Sequence, residues 1–277
     1  MAGALDGLGI AFVGGGVMGE AIIRGLMGRE LVNPEQITVS EPVAARRAAL
    51  EEALGVRTVA TNPEAVAGAD LVVFAVKPQV LDTALDGLRG SVSSDALALS
   101  IVAGAPMSRF ADALGTAAVV RAMPNTPAQI GQGASLWTAT PETSEAQRAQ
   151  AAELIEALGV GVYSDNEAHV DMATALSGSG PAYVFLFIEA LTDAGVQMGL
   201  TRDVAATLAS QTVLGSALYA RESGEHPAIL RNRVTSPGGT TAAALYELER
   251  GGFRGLCAEA VMAAYQRALD LGDITWQ

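Results

Sequence analysis

The amino-acid sequence predicts an α/β protein, with a doubly wound parallel sheet in residues 1–166 and an all-helical domain in residues 167–277. Two observations lead to this prediction. Short apolar runs alternate with helix-like segments as far as residue 166, which is typical of parallel strands joined by crossover helices. Beyond that residue only long segments with helical spacing follow.

The first strand is predicted over Leu8–Val13, an apolar run that ends at three consecutive glycines. The segment Val17–Gly28 then has the apolar spacing of a helix. A tight strand-to-helix turn is therefore expected between them. Because ligands of open α/β sheets bind outside the carboxyl ends of the strands, this turn is a candidate binding element.

The other elements follow from the same two periodicities. In the first domain, strands are predicted over Ile37–Ser40, Leu71–Val76, Ala96–Val102, Ala118–Met123 and Gly161–Ser164, and helices over Ala44–Leu54 and Ser144–Leu158. In the second domain, helices are predicted over Pro181–Met198, Arg202–Ser223, Thr241–Arg250 and Phe253–Leu271.

Composition excludes several classes of function. The chain has 17 Lys and Arg residues against 30 Asp and Glu, a net charge of −13, which disfavours nucleic acid and anionic lipid as partners. One cysteine, Cys257, and two histidines far apart in sequence provide no metal-ligand pattern, so no metal is predicted. No basic residue precedes Arg24, and the longest uncharged stretch, Ala122–Pro141, contains polar residues and prolines, so we expect a cytoplasmic protein without a membrane span.

The glycines at positions 14, 16 and 19 form a G-x-G-x-x-G pattern between the first strand and its helix. In that position the first glycine permits a tight turn, the second lets a pyrophosphate approach the backbone, and the third allows close packing. Free amides at the start of the helix favour negative charge. The pattern predicts a Rossmann-type domain that binds a dinucleotide, and a purely structural glycine turn is the alternative.

Residues after the second strand bear on the choice of nicotinamide cofactor. Glu41 lies about 20 residues beyond the last glycine of the pattern, where a carboxylate binds the ribose hydroxyls and favours NAD. Arg46 and Arg47 favour NADP if they pair with its 2′-phosphate. The alternative for both arginines is a solvated helix face.

Two polar residues follow later strands. Lys77, the only lysine, stands in A-V-K-P-Q after the third strand, where we predict that it positions a ligand. Nothing in the sequence indicates the desolvated amine that Schiff-base chemistry needs. Asn125, in A-M-P-N-T-P-A, follows another strand, and both a ligand contact and a turn residue are open interpretations.

In the second domain, V-T-S-P-G-G-T-T at Val234–Thr241 combines hydroxyl groups and two glycines just before a helix. Converging amides and hydroxyls suit a carboxylate ligand, whereas an ordinary N-cap is the alternative. The segment Ala182–Leu191 is apolar almost all the way round, so it must be covered on every side. We expect a second subunit to cover it in an intertwined dimer, and a central place within one bundle is the alternative.

Taken in order, these motifs resemble those of the pyrroline-5-carboxylate reductases. The resemblance covers nearly the whole chain, through F-V-G-G-G-V-M-G-E-A-I, A-V-K-P-Q, R-A-M-P-N-T-P-A, L-S-G-S-G-P-A-Y-V-F, G-E-H-P, V-T-S-P-G-G-T-T and G-G-F-R. It implies reduction of (S)-1-pyrroline-5-carboxylate to L-proline by NADPH or NADH, the last step of proline biosynthesis. It also implies an interleaved homodimer and, in many members, a decamer built as a pentamer of dimers.

The resemblance also implies site residues. Cofactor contacts are expected at Gly14, Gly15, Gly16, Val17, Met18, Asn62, Val76, Lys77 and Ala103, and we add Glu41, Ala75, Pro78 and Asn125. Substrate contacts are expected at Glu167, Ser236, Gly238, Gly239, Thr240 and Thr241, with the Thr241 hydroxyl as the catalytic group at the ring nitrogen. Glu41 and Arg233 depart from relatives that have Ser and Asn there, so NADP follows from the resemblance and NAD from Glu41.

Two other functions compete with this one. A β-hydroxyacid-dehydrogenase-like enzyme would use a lysine on a helix of the second domain, and this chain has no lysine after Lys77. A non-catalytic nicotinamide-dinucleotide sensor would keep the glycine turn but would not need the loop Val234–Thr241.

Overall fold

The structure is a computed structural model that describes residues 3–273. The chain forms two compact units. One consists of the described residues up to Ser179 and those from Ala264 onward, and the other is Gly180–Ala263. These units are distinct from the division after residue 166, which remains a prediction.

The first unit contains an eight-stranded sheet in the order β3-β2-β1-β4-β5-β6-β7-β8. Its strands are β1 Ile10–Val13, β2 Ile37–Ser40, β3 Arg57–Val59, β4 Leu71–Phe74, β5 Leu97–Ser100, β6 Val119–Met123, β7 Gly133–Ala139 and β8 Gly159–Tyr163. The chain runs outward from β1 to β3 and then returns to β4 beside β1. The strand order therefore reverses between β1 and β4, which is where such sheets form a ligand crevice.

One strand pair differs from the predicted parallel sheet, because β6 and β7 are antiparallel, with Arg121 opposite Thr138. Residues 124–132, which contain the short 3-10 helix Thr126–Ile130, join these two strands. A parallel crossover needs a dozen or more residues, so a connection of this length can only reverse the chain. The other neighbouring strands pair in parallel.

Helices cover both faces of the sheet. One face carries α1 Val17–Gly28, α2 Ala44–Leu54 and α6 Glu145–Glu156, and the other carries α3 Asn62–Val66, α4 Leu81–Asp86 and α5 Met107–Leu114. Alternate side chains of β1 enter the two cores, since Phe12 packs with the first set of helices and Val13 with the second. Helix α7, Ala168–Ala173, follows β8 and continues into a π-helical turn at Thr174–Gly178.

The second unit is helical, as predicted. It contains α8 Gly180–Gln197, α9 Arg202–Ser223, α10 Pro227–Arg233, α11 Thr240–Arg250 and the first part of α12 Phe253–Asp273. Helix α10 was not predicted. His226 is its N-cap and accepts a hydrogen bond from the Ala228 amide, while Pro227 occupies the first helical position, where a missing N–H has no cost.

The second unit buries only small residues. Within residues 180–263, all of which the structure describes, these are Thr192, Gly195, Ala205 and Ala209. By contrast, Phe185 is 62% and Leu186 is 67% exposed, and their neighbours Val184 and Phe187 are exposed as well. Successive helical residues point about 100° apart, so four exposed residues in a row leave this apolar turn of α8 uncovered on every side, although Thr192 and Gly195 later in the helix are buried. A central place for this helix within a bundle of one chain is therefore wrong.

Among the described residues, one helical stretch, Ala168–Gln197, is long and apolar enough to cross a membrane by length and composition alone. The longest uncharged stretch, Ala122–Pro141, contains the end of β6, the short 3-10 helix Thr126–Ile130 and β7, and it has no α-helix. A single stretch such as Ala168–Gln197 is weak evidence for a membrane span. Its first residues belong to α7, where Asp171 forms an ion pair with the buried Arg121 of the sheet.

Candidate active site

The glycine turn after β1 has one position that faces open space. Gly14 has φ +104°, and a Cβ placed on it would lie 3.0 Å from the Ala75 carbonyl oxygen. A Cβ on Gly19 would lie 2.6 Å from the Gly14 carbonyl oxygen, and one on Gly15 would lie 2.6 Å from Leu50 Cδ1. A Cβ on Gly16 would meet nothing within 4 Å. The backbone contacts require glycine at positions 14 and 19, and the Leu50 side chain confines Gly15, whereas the space at Gly16, the N-cap of α1, fits a bound pyrophosphate.

Arg46 holds this turn in place. Its Nε donates to the Gly15 carbonyl oxygen at 2.8 Å, and its Nη2 donates to Glu20 Oε2 at 2.6 Å. The hydrogen bond from Arg46, helped by Arg24, lowers the pKa of the Glu20 carboxyl below its usual value despite partial burial. Arg47 Nη1 donates to the carbonyl oxygens of Glu41 and Pro42. Both arginines therefore bind protein groups, so the solvated helix face is wrong for them.

Glu41 lies beside the same turn. Its Cβ is 3.3 Å from where a Cβ on Gly15 would stand, and its Oε1 accepts a hydrogen bond from the Val43 amide at 3.0 Å. The hydrogen bond fixes one carboxylate oxygen. Oε2 has no hydrogen-bond partner among residues 3–273, which leaves it available to ribose hydroxyls.

A cavity of about 400 Å³ opens next to the glycine turn. Its walls include three of the predicted cofactor residues, Gly14, Asn62 and Val76, together with Ser40. Ser40 Oγ donates to Asn62 Oδ1 at 2.6 Å, which orients the amide at the start of α3. The residues present therefore fit a dinucleotide in both shape and polarity.

The other predicted cofactor residues follow neighbouring strands. Ala75, Lys77 and Pro78 come after β4, and Ala103 comes after β5. The Lys77 side chain is exposed and forms no ion pair in the described part of the chain. Val17 and Met18 open α1.

Asn125 connects three segments. Its Nδ2 donates to the Ser177 carbonyl oxygen at 3.1 Å, and its Oδ1 accepts from the Ala134 amide at 2.9 Å. The side chain thus ties the end of β6 to β7 and to the π-helical turn. Asn125 is also the N-cap of the 3-10 helix Thr126–Ile130, and its carbonyl oxygen accepts from the Ala128 amide at 3.0 Å, so the turn-residue interpretation is confirmed, while the cofactor contact remains a prediction.

Glu167 belongs to an ionic cluster that the sequence did not predict. As the N-cap of α7, it accepts hydrogen bonds at Oε1 from the Met107 amide at 2.7 Å and from Arg121 Nη1 at 3.3 Å. Arg121 Nη2 also donates to Asp171 Oδ1 at 2.5 Å. The available signal was one charged residue within the apolar run Ala118–Met123.

The second unit contains the other predicted substrate residues in one turn. Gly238 has φ +68°, the Gly239 amide donates to the Ser236 carbonyl oxygen at 3.1 Å, and Gly239 is the N-cap of α11. Thr240 and Thr241 are the first two residues of that helix. Since the first amides of a helix have no acceptor within it, this turn offers several donors beside two hydroxyl groups.

The other candidates from the sequence are the metal-ligating residues, Cys257 and Arg233. Among the described residues, no three His, Cys, Asp or Glu side chains are placed to hold a metal ion. Cys257 is exposed in the single chain. Arg233 stands where some relatives have Asn near the cofactor; it pairs with Glu225, and this hydrogen bond raises the pKa of the guanidinium.

Two protein-family models match the chain. Residues 167–271 match the model for pyrroline-5-carboxylate reductase dimerisation, and residues 9–104 match the model for coenzyme F420-dependent NADP oxidoreductases. The pyrroline-5-carboxylate reductase of Pseudomonas aeruginosa is 44% identical over 265 residues, which cover 95% of this chain and 97% of the relative. That of Synechocystis is 45% identical over 263 residues, with 95% and 98% covered.

Solved structures give the same relationship. A pyrroline-5-carboxylate reductase from Coxiella burnetii superposes with a TM-score of 0.87 at 37% identity, covering 95% of this chain and 98% of that one. The pyrroline carboxylate reductase of Plasmodium falciparum, solved with NADP bound, superposes with a TM-score of 0.88 at 30% identity, covering 97% and 99%.

Proposed function

The chain belongs to the pyrroline-5-carboxylate reductase family, and we propose that it reduces (S)-1-pyrroline-5-carboxylate to L-proline by hydride transfer from NADPH or NADH. The observation that carries this proposal is the identity of 44% to a named reductase over 95% of the chain. The loss of nicotinamide absorbance on mixing protein, reduced cofactor and pyrroline-5-carboxylate tests it. An enzyme that oxidises neither cofactor with this substrate would contradict the proposal.

The proposed chemistry requires few titratable groups. A protonated cyclic imine is already electrophilic at ring C5, and a bound reduced nicotinamide supplies the hydride. The protein has to hold the substrate in a reactive orientation. We assign the substrate carboxylate to the turn Ser236–Thr241, because its free amides and hydroxyls donate hydrogen bonds to an anion. We propose that the Glu167 carboxylate stabilises the positive charge of the protonated ring.

We predict that Thr241→Ala lowers kcat/KM for pyrroline-5-carboxylate by about ten- to a hundredfold, a loss of about 1.4–2.7 kcal/mol. The proposed reason is that the Thr241 hydroxyl hydrogen-bonds the ring nitrogen during reduction. Steady-state kinetics with saturating cofactor measure the effect. Thr241→Ser is the matched control, since it keeps the hydroxyl and should keep most of the activity. Equal activities of the alanine variant and the parent enzyme would exclude this role.

We propose that Glu41 shifts cofactor use towards NADH. Its carboxylate beside the glycine turn would repel a 2′-phosphate, and Arg46 is engaged by Gly15 and Glu20. NADP binding is what the family resemblance implies, so both cofactors are proposed substrates.

Glu41→Ser should accordingly raise the ratio of kcat/KM for NADPH to that for NADH by about fivefold, because removal of one negative charge near a phosphate is worth on the order of 1 kcal/mol. Parallel assays with the two cofactors give this ratio. Glu35→Ser, which makes the same substitution at an exposed position of the short 3-10 helix Pro34–Gln36, is the control. A ratio that is the same in the Glu41 variant and the parent enzyme would contradict the assignment.

We also propose that the protein is a homodimer whose helices interleave, with dimers assembled into a pentamer of dimers, and that it acts in the cytoplasm. The match to a dimerisation model and the exposed apolar surface of α8 support the dimer. The larger assembly and the compartment follow from the family resemblance and from the single cysteine.

A further inference from the structure

Arg121 is a buried charge in a central strand. Its side chain is only 3% exposed, and its neighbours Val119, Val120 and Ala122 belong to the hydrophobic cores. Burying a guanidinium costs free energy unless carboxylates pair with it. Two carboxylates do so here, Glu167 at 3.3 Å and Asp171 at 2.5 Å, both carried by the segment that begins α7.

The cluster leaves one carboxylate oxygen unused. Glu167 Oε1 receives hydrogen bonds from Arg121 and from the Met107 amide at the start of α5. Glu167 Oε2 has no hydrogen-bond partner in the part of the chain that the structure describes, and the side chain is 31% exposed. Two donors thus fix the direction of the carboxylate, while its second oxygen can still accept a hydrogen bond from a ligand.

The charges of the cluster do not cancel. One arginine faces two carboxylates, which gives a net charge of −1 when all three groups are ionised. With Glu167 as its only partner, Arg121 would form a neutral ion pair that attracts a cationic ligand only weakly. Asp171 balances the arginine, so the charge of Glu167 remains effective towards a cation.

We propose that Arg121 is a positioning residue for the reduction, held by Asp171 and acting through Glu167, whose Oε2 accepts a hydrogen bond from the N–H of the protonated cyclic imine. This inference rests on the proposed function. A rigid, correctly aimed acceptor increases reactivity because less ordering is needed when substrate binds. Arg121 itself does not touch the substrate in this proposal.

A double-mutant cycle on the full-length oligomer tests the proposal. We expect Glu167→Gln to lower kcat/KM for pyrroline-5-carboxylate by about tenfold or more while the KM for the cofactor changes by less than about twofold. Arg121→Lys, which keeps the charge but loses the planar fork, should lower kcat/KM about fivefold in the parent enzyme. In the Glu167→Gln background it should lower kcat/KM by less than about twofold, since coupled residues are not additive.

Arg148→Lys is the matched control. Arg148 donates to the Thr140 and Thr143 carbonyl oxygens and to Tyr163 Oη, and it forms no ion pair with a carboxylate of the described residues. This variant should change the melting temperature without changing kcat/KM. If Arg121→Lys does not fold, Asp171→Asn replaces it in the cycle, because this substitution weakens the ion pair that orients the Arg121 guanidinium while it keeps the guanidinium itself.

The outcomes separate the two proposals. An equal loss from the Arg121 variant in both backgrounds would mean a structural role only and would overturn the inference. Full activity of Glu167→Gln would also overturn it, while the reductase function would stand. A parent enzyme without activity on pyrroline-5-carboxylate would overturn the proposed function itself.

Discussion

Gly16→Ala is expected to weaken binding of the nicotinamide dinucleotide by about a hundredfold, on the order of 2.7 kcal/mol, while the protein keeps its melting temperature. The physical reason is the contrast within the glycine turn. A methyl group on Gly16 would meet no protein atom within 4 Å, so the fold tolerates it. The same methyl group would occupy the space through which a pyrophosphate reaches the amides of α1. Titration of NADPH or NADH by fluorescence measures the affinity, and calorimetry measures the stability.

Two other glycines of α1 and its turn are the controls. Gly14→Ala should lose both stability and cofactor affinity, because φ +104° is strained for alanine by about 1–3 kcal/mol and its Cβ would crowd Ala75. Gly28→Ala, at the far end of the helix with open space around it, should leave cofactor affinity unchanged and should not lower stability, since alanine favours a helix over glycine by up to about 1 kcal/mol. If Gly16→Ala bound the cofactor as tightly as the parent protein does, the pyrophosphate would not lie at Gly16.

Leu186→Asp is expected to raise the dissociation constant of the dimer by more than about a thousandfold, since an unpaired buried charge costs about 3–5 kcal/mol. Leu186 lies in the exposed apolar part of α8 and is 67% exposed in the single chain. In a twofold-symmetric dimer each substitution places a charge in both copies of the interface. Size-exclusion chromatography with light scattering at micromolar concentration should therefore show a monomer without reductase activity.

Ala48→Asp provides the matched control for this charge. Ala48 lies on an exposed position of α2 in the first unit, so the same negative charge should leave the oligomer and its activity unchanged. A Leu186→Asp protein that eluted as a dimer with the parent's melting temperature would show that α8 is not the face covered by the second copy.

Elements with strong periodicity could be predicted from the sequence. The α1, α2 and α9 helices and strand β2 begin and end where their apolar patterns indicate. Strands β3 and β7 were missed for different reasons. The three residues of β3 are too few to show an alternation. In β7 the buried positions include Gly133, Ser135 and Thr138, so its sequence shows no apolar run.

The candidate site was predictable where the chemistry is local. The glycine turn and the loop before α11 are contiguous motifs, and the structure forms them as a turn and a helix start. The ionic cluster joins Arg121 to Glu167 across 46 residues of sequence, so no spacing rule could have connected them. Likewise, the hydrogen bond from Asn125 to Ser177 depends on the π-helical turn, for which the sequence carries no signal.

The burial of only small residues within Gly180–Ala263 has a thermodynamic consequence. A helical segment without a large apolar residue in its interior gains too little free energy from its own packing to offset the loss of chain entropy. Its native conformation then depends on surface that a second molecule supplies, so folding and association become a single equilibrium governed by mass action. We therefore expect this segment to stay unfolded in a chain at low concentration until two chains associate. The amount of folded enzyme would then depend on the concentration of the chain as well as on its sequence.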